Sequence, residues 1–316
     1  MTGGGLGVLT LLLAALLGVL LLWALAQALG RWRWAALGQE LEARLAPGAT
    51  PAPSAVDLHR ELAGLPAPVA RYLGLVLTDG QAMVARVRLR QSGQFNGSDG
   101  EPDWQPFTAT QRVVTQVHGG RPGFDWDARI AGWLGLSVWV RDAYAGGAGL
   151  LQATLLGLIP LATQRDTPAA AQGELMRYLA ETPWYPTALL PSQGVRWEAL
   201  DARSAWATLT DGDTTVRLRF GFGPDGLVES VHAPARPRRL RGVMGVAPWR
   251  CRLSGYVRRQ GMRLPFSAEV AWQLPTAGEP YWRGRVTQID FSFAPLPLPL
   301  PLPSPQASPA ALTQLA

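Results

Sequence analysis

The chain opens on one long apolar run and then changes period. From Leu6 to Leu29 no charged residue occurs, Leu dominates, and only Thr10 and Gln27 interrupt the run. At ~1.5 Å rise per residue such a helix exceeds the ~30 Å hydrocarbon core of a bilayer, so the pattern predicts one transmembrane helix that can span with some tilt. Further on, apolar positions alternate strictly. Ala85, Val87 and Leu89 oppose Arg86, Arg88 and Arg90. Phe124, Trp126, Ala128 and Ile130 oppose Asp125, Asp127 and Arg129, and Leu264, Phe266, Ala268, Val270 and Trp272 oppose Arg263, Ser267 and Glu269. A period of two with one apolar and one wet face predicts antiparallel strands packed on one side, not the continuous apolar strands of a doubly wound parallel sheet.

Turn chemistry agrees. Asp211-Gly212 joins Ala205–Thr210 to Thr214–Phe222, and Gly223-Pro224-Asp225-Gly226 joins that strand to Leu227–His232, so residues 195–233 read as a meander. Three short helices are predicted beside the strands. Ser54 is positioned to cap one carrying Val56, Leu58 and Leu62, and Pro66 and Pro68 open a second through Val69, Tyr72, Leu73 and Val76. Thr167 caps a third, with Pro168 in its first turn and an apolar stripe of Leu175, Tyr178 and Leu179 that would cover the apolar sheet face. The uncharged segment Ala143 to Gln164 carries Gly146, Gly147, Gly149, Gln152, Gly157 and Pro160, which makes it a poor second span and a better buried strand entering a loop.

The fold class expected is mainly β (α+β): a curved antiparallel sheet or half-barrel covered by a few helices and preceded by one transmembrane helix. Residues 1–30 form the anchor, 31–53 a juxtamembrane helix and an Ala/Pro-rich linker, 54–294 the β-rich domain, and 295–316 a Pro-rich tail. In that tail the Pro-Leu repeat cannot donate ladder hydrogen bonds at alternate positions.

Charge narrows the partners. The net charge is +6, yet all the basic residues are Arg, scattered singly along strands. Nucleic-acid binding needs a dense basic stripe with interleaved aromatics, which is missing, so no nucleic acid is expected. The expected partners are a lipid bilayer and a lipid-like or apolar ligand. Ala24-Leu25-Ala26 resembles a signal-cleavage triplet, but Met1 to Gly5 lacks the basic segment of a secretory signal, which favours an uncleaved single-pass anchor in the cell membrane. Arg31 and Arg33 follow the run with Trp32 and Trp34 interleaved, and the positive-inside bias of two arginines would put the domain on the cytoplasmic side.

Candidate chemistry is sparse. His59, His118 and His232 have no ligand-spaced neighbours, no glycine run precedes a phosphate-cradling helix, and neither metal nor nucleotide cofactor is expected. The lone Cys251 excludes an intramolecular disulfide and falls on an apolar strand face, which reads as an inert buried thiol. Asp125 and Asp127 share a strand face with Cβ atoms within ~7 Å, close enough to split their pKa values for acid/base work, though a solvated strand has the same pattern. Glu181 closes the third helix against the dipole, a conflict that an ion pair with Arg177 would relieve. These carboxylates would serve a hydrolase only if they met in one cleft. The better hint is aromatic. Thirteen Trp is high for this length, and Trp126, Trp184, Tyr185, Trp272 and Trp282 fall on apolar faces or at the helix-to-loop turn. If so few helices leave part of a curved sheet uncovered, these five would line a hydrophobic ligand-binding cavity.

Five stretches, Leu65–Leu73, Gly123–Arg129, Val140–Tyr144, Glu174–Pro191 and Pro280–Arg285, together resemble an uncharacterised bacterial domain-of-unknown-function family over roughly residues 60–292. That resemblance implies a membrane or envelope protein and brings no catalytic residues with it. In architecture alone the pattern is similar to the half-barrels of bacterial lipoprotein carriers. Three functions therefore stand as expectations: a membrane-anchored binder of an apolar or lipid-like ligand, a structural or partner-binding envelope protein, and a hydrolase using Asp125, Asp127 or Glu181.

Overall fold

The computed structural model describes residues 3–45, 55–98, 101–132, 135–240, 243–273 and 280–295. The expected Ser54 cap, the linker and nearly all of the Pro-rich tail lie outside them. Six strands come first, β1 (Val84–Asn96), β2 (Trp104–Val114), β3 (Gly123–Ala131), β4 (Ser137–Ala145), β5 (Ala148–Leu155) and β6 (Ile159–Arg165). Seven follow, β7 (Arg196–Asp201), β8 (Ser204–Asp211), β9 (Thr214–Phe222), β10 (Val228–Leu240), β11 (Val243–Arg259), β12 (Met262–Trp272) and β13 (Pro280–Phe293). All thirteen join in one antiparallel sheet ordered β6-β5-β4-β3-β2-β1-β13-β12-β11-β10-β9-β8-β7. Each half is a meander of sequential hairpins, and the long pairing of β1 with β13 fuses them.

The sheet curls because strand twist of ~20° per neighbour accumulates over so many strands. Irregular register within β1–β13, β10–β11 and β12–β13 adds bending. The curl is strong enough to bring the two arms together. Helix α4 (Pro168–Glu181) touches β4 and β5 on one arm and β9 and β10 on the other. The Tyr144 hydroxyl of β4 donates to Asp211 Oδ2 of β8 at 2.7 Å, and Arg121 Nε donates to Asp211 Oδ1 at 2.8 Å.

Helix α4 starts as its sequence requires. The Thr167 side chain accepts from Ala170 N at 3.1 Å, and Pro168 stands in the first turn, where its missing N–H costs nothing. Its Leu175, Tyr178 and Leu179 are buried on the concave sheet face. Two short helices, α2 (Leu58–Leu62) and α3 (Ala67–Val76), pack at the same core; α3 buries Val69, Tyr72, Leu73 and Val76. The cap of α2 is Asp57, whose side chain accepts from Arg60 N at 3.0 Å.

The other face of the sheet holds a finding the alternation hid. Helix α1 (Gly3–Arg44) is unbroken, so the apolar run and the segment after it are one rod. Its N-terminal part is exposed and apolar, and fits a membrane anchor or a signal sequence. Its last turns bury a stripe of Gly30, Trp34, Gly38, Leu41 and Leu45 against the convex face of β3, β4 and β5. The segment Ala143 to Gln164 is not a buried strand entering a loop. It is the end of β4, then β5, then the exposed edge strand β6, because type I′-like turn geometry at Leu156 and Gly157 folds it back as a hairpin.

Candidate functional site

Between α4 and the concave face, in the part of the curl that α2, α3 and the core side chains do not fill, lies an open cavity of about 1530 Å³. Its helix wall is one stripe of α4, namely Ala170, Gly173, Glu174, Arg177 and Glu181, continued by Trp184 in the helical turn Thr182–Trp184. This stripe lies beside the apolar one that holds α4 to the core, at the i, i+3, i+4, i+7 spacing of one helical face. The sheet wall is aliphatic and aromatic, with Val138, Val140 and Ala153 on one arm and Trp249, Trp272 and Trp282 on the other.

Four of the five aromatic residues expected to line such a cavity do so: Trp126, Trp184, Trp272 and Trp282. Three of them are oriented by a neighbour. Trp126 Nε1 donates to Gln91 Oε1 at 2.7 Å, Trp272 stacks on Tyr281 with centroids 6.0 Å apart, and Trp282 packs on Phe107 at 5.5 Å. Gly284 leaves room for the Trp282 ring, since a Cβ there would lie 2.3 Å from it. Tyr185 is not part of the wall. It is fully buried under α4, its hydroxyl donating to the Tyr178 carbonyl at 3.0 Å, because the irregular residue between two helical turns points into the core.

A charged group sits among these apolar surfaces. Arg177 pairs with Asp142 of β4, its Nε donates to Glu181 Oε1 at 2.8 Å, and its guanidinium lies 4.8 Å from the Trp126 ring. Burial opposes that charge, but Glu181, Asp142 and Glu174 more than offset it and raise the Arg177 pKa. Glu181 also accepts from Gln111 Nε2 at 2.5 Å. Arg236 of β10 reaches across from the other arm, donates to the Gly173 carbonyl at 3.2 Å, stands 3.8 Å from Glu174, and lies over the Trp249 ring. Burial and then the Asp142 charge push the Glu174 carboxyl well above the ordinary range, against the pull of Arg236 and Arg177, so its neutral acid is favoured and can donate to Asp142. Trp184 Nε1 is buried in the wall with no hydrogen-bond partner. Cys251 lines the wall too, and burial pushes its thiol up to about 12, an inert position.

The three carboxylates proposed for acid/base work do not meet. Glu181 faces the cavity, whereas Asp125 and Asp127 lie on the convex face because residues on one strand alternate. Asp125 is buried and Asp127 only partly exposed. Arg112 donates to Asp125 at 2.8 Å, Arg141 stands 3.3 Å from Asp125 and 2.7 Å from Asp127, and α1 covers them all. Sequence reasoning found the Arg177–Glu181 pair but passed over Asp142, Glu174 and Arg236. The available signal was Glu174, Arg177 and Glu181, a charged stripe on a helix otherwise buried all round.

The class these features define is an open, curled antiparallel sheet closed by one helix around a ligand-sized cavity. The chain belongs to a family of unknown function, DUF6920, whose model matches residues 63–291, in agreement with the resemblance noted from its motifs. No curated protein matches it. Among solved structures it is similar to the crystal structure of a LolA superfamily protein from Nitrosomonas europaea. The two are 11% identical over 72% of this chain and 94% of that one, with a TM-score of 0.34.

Proposed function

We propose that this chain is a single-pass membrane protein whose β-rich domain holds a lipid-like amphiphile beneath α4. The observation that carries this reading is the cavity itself. At about 1530 Å³ it exceeds the ~300–1,000 Å³ usual for small-molecule sites, so it suits a ligand with one or more long apolar chains. Its Trp and aliphatic walls would take the chains, and Arg177, Arg236 and the Trp184 indole N–H would orient a polar head. The unbroken α1 supports anchoring, since the exposed apolar run leads without interruption into a stripe docked on the domain.

Native mass spectrometry of the full chain released from detergent tests the reading, with a co-purifying lipid mass as the expected result. Filling the cavity by Ala153→Trp together with Val140→Trp should remove that mass and leave the unfolding temperature within a few degrees. A wild-type chain that carries no lipid and fails to bind a fluorescent fatty-acyl probe would end it.

A further inference from the structure

Helix α1 docks with its axis along the strands, and its two contacts fix which edge of the sheet faces the apolar run. At one end a Cβ on Gly30 would lie 2.3 Å from the Leu156 carbonyl oxygen, in the β5–β6 turn. At the other, a Cβ on Gly123 would lie 2.5 Å from Leu45 Cδ2, and one on Gly146, in the β4–β5 turn, 4.0 Å from Arg44 Cβ. Successive hairpins of a meander turn at opposite edges, so Gly30–Leu45, ~22 Å long at ~1.5 Å per residue, crosses the height of the sheet. The run Leu6–Leu29 therefore projects past the β5–β6 edge.

That edge is unusual. The turn residues Leu155, Leu156, Gly157 and Leu158 are apolar where Asn-Gly would be ordinary, and Leu156 is held at φ +57°, a left-handed conformation that strains a residue of this kind. Ile159 and Leu161 follow on the open edge strand, 58% and 57% exposed. An apolar, strained turn beside an exposed apolar edge is a liability in water and an asset against lipid. Leu161, Ala162 and Thr163 also line the cavity, so the same strand is the cavity's rim.

We propose that the β5–β6 turn and the start of β6 are a sill seated in the headgroup layer of the leaflet that α1 crosses, so that the cavity rim meets the bilayer directly. This rests on the reading of α1 as an anchor. With Leu6–Leu29 in the hydrocarbon, Gly30 and the Leu156 turn against it lie at the membrane surface. Headgroup depth also suits the free backbone groups of an edge strand, which hydrocarbon would leave unpaired.

The test uses the full chain reconstituted in vesicles of equal phosphatidylcholine and phosphatidylglycerol. Ile159→Cys, Leu161→Cys and, as reference, Ala43→Cys are each labelled with a fluorophore quenched by lipids that carry a nitroxide near the headgroup; the buried Cys251 stays unlabelled. Ala43 is exposed on α1, ~20 Å beyond Gly30 at ~1.5 Å per residue. Labels at 159 and 161 should be quenched severalfold more than the one at 43. A label at 159 or 161 quenched no more than the one at 43 overturns the sill. Quenching reads depth whether or not a lipid occupies the cavity, so it fails or succeeds separately from the co-purification experiment.

Discussion

The indole nitrogen of Trp34 donates to the Asp127 carboxylate at 2.9 Å, tying the apolar leading helix to a strand far along the chain. Around that bond the convex face carries a partly buried ionic layer. Arg141, buried, donates to the Trp34 carbonyl at 3.1 Å and pairs with Asp125 and Asp127, and Arg129 lies 4.2 Å over the Trp139 ring. A buried network of this kind adds little net stability, but it is costly to break and it specifies one docking geometry. A helix attached this way cannot swing against its domain.

Gly38 is where that docking is most exposed to mutation. A Cβ there would lie 2.8 Å from Arg141 Nη1, so Gly38→Leu must push the guanidinium out of its pairs. Asp125 keeps Arg112, but leaving the buried Arg141 charge without its carboxylates costs about 3–5 kcal/mol. Trp34→Phe, which removes one donor from an Asp127 that keeps two arginines, should cost about 1 kcal/mol. Denaturant unfolding of the detergent-solubilised chain measures both. A Gly38→Leu protein as stable as wild type would mean that α1 does not dock on the sheet.

The closure of the curl rests on Tyr144 and Asp211, from opposite arms. Tyr144→Phe removes a hydrogen bond to a charged acceptor worth about 1.5–3 kcal/mol, while Arg121 stays on Asp211. The expected consequence is local. Amide hydrogen exchange should quicken in β4 and β8 and leave the amides of Gly30–Leu45 in α1 unchanged. Equal exchange in mutant and wild type would show that α4 and the Arg121–Asp211 pair hold the arms together without the Tyr144 bond.

These relationships mark what the chain's pattern can and cannot convey. Alternation at Phe124–Ile130 and at Leu264–Trp272 reveals strands and their apolar faces, and Thr167-Pro168 reveals where α4 begins, because each depends on residues close in sequence. The same alternation labels Asp125 and Asp127 as wet, since nothing near them in sequence shows that Trp34 and Gly38 will cover them. Trp126, Trp272 and Trp282 line the cavity from strand faces that alternation marks as apolar, and Trp184 lines it from the helix-to-loop turn. Tyr185 does not, because its direction depends on an irregular backbone between two helical turns. Arg236 was hidden most completely. Its role arises only when β10 meets α4 across the curl, a contact that twist accumulated over many strands creates.

Glu174 gives the site a pH dependence whose sign follows from its surroundings. Burial and the Asp142 charge raise its carboxyl in the folded protein, whereas the unfolded chain has a glutamate near the ordinary value of about 4.3. Below that value both states are protonated and the favourable contribution of the neutral acid is complete. As pH rises from there towards the raised folded value, the unfolded state gives up its proton first, and stability falls by at most about 1.4 kcal/mol per pH unit. Glu174→Gln cannot ionise, so its stability should not fall in that window, and wild type should lose ground to it steadily before the two run parallel above the folded value. Denaturant unfolding between about pH 4 and pH 8 measures the difference. Ligand retention should follow the same curve. The Arg236 guanidinium, 3.8 Å away, is freer to receive an acidic lipid head while Glu174 is neutral than when it is charged. The lipid seen by native mass spectrometry should therefore decline with rising pH in wild type and persist in Glu174→Gln. A constant difference in stability across the window would instead mean that Glu174 is ionised throughout and serves only as the partner of Arg236.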